Sequence, residues 1–544
     1  MICDVSLDLL PGTAPAANID DGVLRDAVAA RLSVSAGDVR GVVIRKKSVD
    51  ARRRQIKLHL CIRAYVNQDP PASDTSGHPL PVWQHADPTR RVQILGAGPA
   101  GLFAALRLLE TGITPVIFER GKPCPERRRD IARISRGEPI NGDSNYCFGE
   151  GGAGAFSDGK LQTRSTKRGD VYRILRILCH FGADPSILTD AHPHVGSDRL
   201  SAIVGAVTSF IREMGGEVRF DMRLEGLDTK PARDAVALRA LRVRDIASGS
   251  LETVPCEGLI LAAGHSSPEI YRLLAGASPS SVAAKPFAVG VRVEHPREII
   301  DAIQYRRGRE EDTERIAALG AAEYRLTAQA DGRGVYTFCM CPGGFIVPSA
   351  SGEESLVMNG MSAAGRNSAW SNAALVVETR LEDLPGDDPL AGLRFRETLE
   401  YAAWEAARKA GGIGQQAPAQ RLVDFMVGRP SSSLPRSSYA PGLVPSRLDQ
   451  WLPESLVKRL RTAVATDFSR KMPGFLCDDA VLVAPETRTS TPVRILRTDG
   501  ESPTIRGLFP AGEGSGYSGG IVSSAMDGEH AADAIGLLKK SICP

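Results

Sequence analysis

One uninterrupted run, residues 91–119 (RVQILGAGPAGLFAALRLLETGITPVIFE), holds a strand, a glycine turn, a helix, a second strand and a terminal carboxylate. That order constrains the chain to a dinucleotide cradle. Gly96 permits the tight turn after a strand at 92–95, Gly98 lets the backbone approach a pyrophosphate, and Gly101 lets the helix pack close to the sheet. The helix opened by Pro99 and Ala100 presents free N–H groups and the positive end of its dipole to an anion. Glu119 lies where a carboxylate accepts hydrogen bonds from a ribose diol, and Arg120 follows it at the same edge. A carboxylate there disfavours a 2′-phosphate, and so NADP, at this site.

Two further pieces lie far along the chain. TIRGLFPAGE (504–513) reads as a strand ending in Gly512-Glu513, and a glycine-rich loop at 514–520 opens a helix over 521–538. LILAAG (259–264) is an apolar strand ending in Ala263-Gly264. These pieces resemble flavoproteins of the glutathione-reductase type. The resemblance implies that the Gly-acid turn binds the ribityl and pyrophosphate region of FAD. It also implies that Gly519, Gly520 and Ile521, at the next helix N-terminus, sit beside the flavin pyrimidine edge, where the dipole favours reduced flavin. Glu513 stands where an aspartate is commoner, one methylene longer. LILAAG is similar to the strand that returns from a β-meander to the FAD sheet. Three separated pieces in this order point to FAD rather than NAD.

At 544 residues, 42% hydrophobic and 24% charged, the chain has the composition of a globular enzyme of two or three domains. A net charge of +3 gives no general attraction to nucleic acid or anionic membrane. Residues 1–20 carry Asp4 and Asp8 and no basic or apolar leader, and no apolar run approaches the ~20 residues that span a bilayer. The ten cysteines form no CxxC pair and no zinc spacing, which fits thiols in a reducing compartment and no metal site. The expectation is a cytoplasmic protein.

Residues 1–66 read as a small α/β domain: strand, helix Asp21–Leu32, then strands at 39–45 and 55–66 around a basic turn. Residues 67–90 form a linker. Residues 91–285 form the first part of the FAD-binding domain, residues 286–480 a substrate domain without a second strand-GxGxxG-helix unit, and residues 481–544 the C-terminal FAD segment. Within the first part, apolar residues from Leu200 to Ile211 share one helical face and a strand follows at 217–220, a second crossover onto the sheet.

FGEGGAGAFSDGK (148–160), KPFAVGVRVEHP (285–296), TFCMCPGG (337–344), ETRTSTPVR (486–494) and GEGSGYSGG (512–520) together resemble a family of mostly uncharacterised bacterial FAD-dependent dehydrogenases. The likeness covers nearly the whole chain. It implies an α/β fold: a Rossmann-type FAD-binding domain, an inserted α+β substrate domain and a small N-terminal α/β unit. It supplies no substrate, because function lives in the site and not in the fold.

In the loop 149–159 five glycines let backbone N–H groups approach a flat ring, so Gly151, Gly152, Ala153 and Gly154 are expected at the cofactor. Lys160 or Arg164 would then supply a cation that stabilises reduced flavin. Cys339-Met-Cys341 invites a redox reading, but in an extended strand residues two apart have Cα atoms roughly 6.6 Å apart, too far for a relaxed disulfide. Pro342-Gly343-Gly344 could bend the chain enough to bring the pair together, which leaves a redox pair open, but buried thiols are the plainer reading of Cys339, Cys341 and Cys147. His194 and His295 are the titratable candidates for proton transfer. Arg292 and Arg488 could clamp a substrate carboxylate. The basic cluster Arg45, Lys46, Lys47 with Arg52, Arg53, Arg54 is read as a solvated hairpin tip, or alternatively as a surface for RNA or an acidic partner.

These readings converge on an FAD-dependent oxidoreductase that transfers hydride between flavin N5 and an organic small molecule, with Lys160, His295 and Cys339 as catalytic candidates. NAD(P)H would enter the substrate cleft as a transient reductant, lacking a domain of its own; no membrane or nucleic-acid partner is expected. The alternatives are a flavin monooxygenase, and a flavin-stabilised binding protein acting through its N-terminal unit. The substrate is expected between the loop 149–159, the turn 339–344 and the loop 514–520.

Overall fold

In the computed structural model the described residues are 1–11, 21–51, 56–71, 79–163, 169–305 and 319–542. Arg52, Arg53, Arg54 and Arg164, named above, and Cys543, one of the ten cysteines, lie outside them.

The 91–119 run folds as its pattern requires. Strands Asp87–Leu95 and Ile113–Phe118 pair in parallel, and helix Pro99–Leu109 connects them. The helix is buried almost all round because a second helix, Ile521–Ile542, covers it. A Cβ on Gly528 would lie 2.0 Å from the Ala100 carbonyl oxygen, so the two helices touch backbone to backbone only because this position is glycine. The parallel sheet has the order Leu508–Pro510, Leu259–Leu261, Asp87–Leu95, Ile113–Phe118, Glu217–Arg219. LILAAG thus lies between the first and last segments of the domain, paired in parallel with both. Alternate residues of the sheet face two layers. Val92, Ile94, Ile117 and Ile260 meet the helices, while Leu95, Val116, Phe118 and Leu261 meet an antiparallel meander of Met222–Ala232, Ala235–Asp245 and Leu251–Pro255. Helix Ser197–Glu213 and strand Glu217–Arg219 supply the expected second crossover.

The second domain is a seven-stranded sheet in the order Thr327–Ala330, Arg333–Cys341, Trp370–Thr379, Phe287–Pro296, Val481–Glu486, Ala417–Arg421, Leu443–Pro445. Its pairs are antiparallel except the last. Strand Val481–Glu486 is therefore a central strand here, paired on both edges, and a boundary at 480 cuts the sheet; the run VLVAPE is buried throughout because both faces are covered, Leu482 and Ala484 packing into one core and Val481 and Val483 into another.

The N-terminal unit is a three-stranded antiparallel sheet, Ile2–Leu9, Lys57–Val66 and Val39–Asp50 in spatial order, with helix Asp21–Leu32 on its core. The second strand runs on to Asp50, past the turn expected after Arg45. Lys47 is no solvated tip. Its N–H donates to the Thr189 carbonyl at 2.8 Å, its carbonyl accepts from Ala191 N–H at 2.8 Å, and its ammonium pairs with Asp190 at 3.2 Å. The basic strand docks the N-terminal unit onto the cofactor domain. No described helix is long and apolar enough to cross a membrane.

Replacing Gly528 with leucine forces the two helix backbones apart, and overpacking of this kind costs about 3 kcal/mol. Chemical denaturation of the variant should show that loss, while Gly536→Leu on the same helix, where a Cβ meets nothing within 4 Å, should not.

Candidate functional site

The carboxyl ends of the parallel strands open into a cavity of about 380 Å³, in the range of ligand sites. Gly96, Gly98, Pro99, Ala100, Glu119, Arg120, Gly152, Ala153, Gly154, Lys160, Ala263, Gly264, Cys339, Gly512, Glu513, Gly519, Gly520 and Ile521 all line it. Gly101, Gly151 and His295 do not.

The glycines divide by the physical demand on each. Gly96 has φ +101°, and a Cβ there would lie 2.4 Å from the Ala262 carbonyl. A Cβ on Gly101 would lie 1.9 Å from the Gly96 carbonyl, so this residue works behind the cavity by holding the helix to the turn. Gly151, at φ +80°, likewise packs backward on Ala155 and Val204. Gly98 differs: its φ is ordinary at −78°, and an added Cβ meets nothing nearer than Gly152 Cα at 3.9 Å. Gly152 faces it in turn, its own Cβ position 3.2 Å from Gly98 Cα. Two backbones thus flank a slot that side chains would fill, at the N-terminus of helix Pro99–Leu109, which is the cradle a pyrophosphate needs. The residues fit FAD.

Glu119 is 5% exposed and accepts three backbone hydrogen bonds, from Ala97 N–H at 2.8 Å, Gly121 N–H at 3.0 Å and Gly149 N–H at 2.9 Å. A carboxylate has about four lone-pair sites, so one direction stays open to a ribose hydroxyl. Arg120 lies over the Phe148 ring at 3.9 Å and pairs with Asp143 and Glu269. Glu513 lies 3.5 Å from His265, whose side chain is 11% exposed and which is the one histidine on the cavity wall among the described residues. The sequence reading missed His265, although it directly follows Gly264, at the strand end where a parallel sheet presents its ligands.

Where the second domain meets the cavity, Phe338, Cys339 and Asn359 form part of the wall. Here strand Arg333–Cys341 is not regularly extended. A register shift between Phe338 and Cys341 and a left-handed Cys339 at φ +46° break the alternation assumed for two cysteines on one face. Both are free thiols. The Lys160 ammonium donates to the Met340 carbonyl on this bulge and pairs with Asp158 at 3.3 Å. Burial opposes the lysine's charge, but the nearby Cys341, Cys339 and Asp158 outweigh it and hold its pKa above the usual value. Burial also opposes charge on Asp158; Lys160 and Arg366 overcome it and keep the carboxyl below its usual range.

Several sequence expectations are corrected. His295 is fully buried in the second domain's core, its Nε2 2.7 Å from the Phe475 carbonyl and its ring 4.8 Å from that of Phe475. Strand parity explains this, since Phe287, Val289, Val291 and Val293 all face that core and residue 295 continues the series. Arg292 points the other way but is no free clamp. It is fully buried, donating to Asn372 at 2.7 Å, Glu486 at 2.9 Å, the Cys339 carbonyl at 2.8 Å and Cys341 Sγ at 3.5 Å. Arg488 reaches the wall but is held in a fork by Glu400 at 3.1 and 2.8 Å. His194 Nε2 lies 3.2 Å from the Ala364 carbonyl, and burial followed by Arg366 lowers its pKa; it is not on the wall. Gly343 and Gly344 pack against Arg366 and Met361 backbone, so the turn 339–344 contributes Cys339 and not its glycines. No group of side chains that could hold a metal ion occurs among the described residues.

The family model "FAD-dependent protein, C-terminal domain-like" matches residues 286–489, and a domain family of unknown function matches residues 1–65. An uncharacterized protein of Clostridium beijerinckii is 37% identical over 537 residues, spanning 95% of this chain and 97% of its own. Solved structures with a likeness include a geranylgeranyl bacteriochlorophyll reductase-like protein from Thermoplasma acidophilum, 11% identical over 83% of this chain and 80% of that chain, TM-score 0.33. A flavoprotein/dehydrogenase from Cytophaga hutchinsonii is 12% identical over 83% and 79%, TM-score 0.34. Scores this low add nothing to the strand order described above.

Two outcomes are expected. Gly98→Ala should fold normally yet retain little flavin, because its Cβ enters the slot and comes no nearer the protein than 3.9 Å from Gly152 Cα; visible absorbance of the purified variant and its melting temperature check both halves. Since the Phe475 carbonyl only accepts, His295 Nε2 carries the hydrogen, and burial lowers the ring's pKa to about 4, with Nδ1 lacking an acceptor. The unfolded chain therefore binds the extra proton first, and stability falls as pH drops from ~6.5 to ~4, by about 3 kcal/mol in all from this group. His295→Gln keeps a donor for Phe475 and does not titrate, so its denaturation midpoint should vary less across that window.

Proposed function

The chain belongs to the family of FAD-dependent proteins that includes the Clostridium beijerinckii relative, and we propose that it is an oxidoreductase that exchanges a hydride with an organic small molecule seated beside Lys160 and Cys339. The observation that carries this reading is the continuity of one cavity from the Gly98–Gly152 slot to the wall of the second domain. When bound, FAD supplies a ring that takes up or gives back a hydride. Lys160 holds a fixed positive charge at the wall, tethered by Met340 and Asp158, and so favours negative charge developing beside it without reorganisation. Phe338, 38% exposed, and the Asn359 side chain offer an apolar surface and a polar handle to a small molecule. Among the described residues the seven-stranded sheet contains no second parallel cradle, so a reduced nicotinamide nucleotide has no resident domain and would enter this same space.

Lys160→Met should keep its FAD and slow flavin reduction by substrate by about 10²- to 10³-fold, the cost of one lost charge-stabilising donor. An anaerobic screen of small alcohols, amines and saturated acids, followed by bleaching of the flavin's visible absorbance in a stopped-flow instrument, identifies the substrate for that comparison. Product that carries oxygen from labelled O₂, with no substrate oxidised anaerobically, would overturn the dehydrogenase reading in favour of a monooxygenase. Salt-sensitive RNA binding with no turnover of any reductant would favour the binding protein.

A further inference from the structure

A second cavity, of about 360 Å³, adjoins the first and shares Arg120, Phe148, Ser266, Glu269 and Arg488 with it. Its deep wall carries Arg396, Glu400 and Arg488, whose side chains are 1%, 4% and 9% exposed. Glu400 is bound closely by Arg488 and by the Thr487 hydroxyl at 2.7 Å. Its relation to Arg396 is looser, 3.6 Å from carboxylate to Nε, beyond hydrogen-bond range. The terminal nitrogens of Arg396 reach only the His265 carbonyl, at 3.4 and 3.3 Å, and its Nε is buried with no hydrogen-bond partner. Two buried guanidinium groups thus share one carboxylate.

The other charges on the wall do not correct this. Arg120 is taken by Asp143 and Glu269, Glu397 is tied to Arg272 at the surface, and Glu354 is exposed. Two buried cations with one counter-charge between them are costly, and burial lowers the Arg396 pKa accordingly. At the mouth Tyr401 is 49% exposed, its ring backed by Trp404 at 5.6 Å. A ring face beside an underpaired guanidinium suits an anion carried on a planar or apolar body.

We propose that this second cavity is a binding subsite for a carboxylate or phosphate group, which completes the pairing of Arg396 while Tyr401 receives the body of the ligand. The anion belongs either to a carboxylated substrate or to a reduced nicotinamide nucleotide. Only the use of the anion rests on the oxidoreductase reading; its binding does not.

The test is calorimetric titration of the FAD-saturated protein with inorganic pyrophosphate and with succinate, alongside thermal melts. At least one probe should bind and raise the melting temperature. Arg396→Met should weaken that binding at least tenfold while Arg396→Lys falls between the methionine variant and the unaltered protein, since a lysine keeps the charge and loses the fork. Absence of both heat and thermal shift in the unaltered protein overturns the proposal whether or not the methionine variant folds. Loss of FAD from an otherwise folded Arg396→Met also overturns it, because the charge then serves the cofactor. Displacement of pyrophosphate by NADH, with a raised KM and little change in kcat for flavin reduction in the variant, assigns the anion to the nucleotide. Competition by succinate alone assigns it to the substrate. Binding that persists without turnover of any reductant leaves the subsite standing and removes the oxidoreductase reading.

Discussion

One carboxylate holds the cofactor half together. Glu119 ends the second strand of the cradle and gathers the amides of Ala97, Gly121 and Gly149, which belong to the glycine turn, to its own strand exit and to the loop that returns 30 residues later. Hydrogen bonds to a charged, buried acceptor contribute about 1.5–3 kcal/mol each. Three of them fix the slot between Gly98 and Gly152 before any ligand arrives. The acid read from sequence as a ribose ligand is thus first a structural clamp, and its remaining lone pair is positioned by that clamping. The same logic extends behind the slot, where Gly101 and Gly528 let helix backbones close on the turn and on Ala100.

The cofactor domain was legible because its signals are local. Turn, helix, strand and acid fall within residues 91–119, and the order of the other two pieces along the chain matches their place in the sheet. The second domain was not, because its sheet is assembled from strands distant in sequence. Nothing near Val481 announces that it pairs with Glu294 and Arg421. Local propensity says strand, and only the buried partners on both edges say which sheet. Parity did hold information that went unused: Val289, Val291 and Val293 already placed His295 in the core and Arg292 on the opposite face.

Buried arginines also escaped the sequence reading, and for a physical reason. From sequence an arginine is most often surface, yet Arg127, Arg292 and Arg396 are among the largest fully buried side chains here. Arg127 spends its donors on the carbonyls of Asn145, Tyr146 and Glu150, shaping the loop that leads into the cofactor cavity. Arg292 does the same for the bulge at Cys339, with Glu486 as its counter-charge. Each is a planar fork that pins irregular backbone, a task for which an apolar side chain has no donors. These loops are glycine-rich or bulged and make few ladder hydrogen bonds, so buried side-chain donors set their shape.

The two domains meet through such charges rather than through apolar contact alone. Lys160 and Asp158 come from the cofactor domain's loop; Met340, Ser362, Arg366 and Glu323 come from the second domain. Asp158 is shared between Lys160 and Arg366, and Arg366 passes on to Glu323, which meets His192 at 2.9 Å near the surface. Because a buried ion pair is worth little in net stability when compared with apolar packing of the same volume, its retention here is better explained by geometry than by strength. A shifted docking of the two domains would part Asp158 from Arg366 while both stayed buried, so the interface tolerates one register. That register is what sets Lys160 against the Cys339 bulge, and with it the shape of the space where a substrate meets the cofactor.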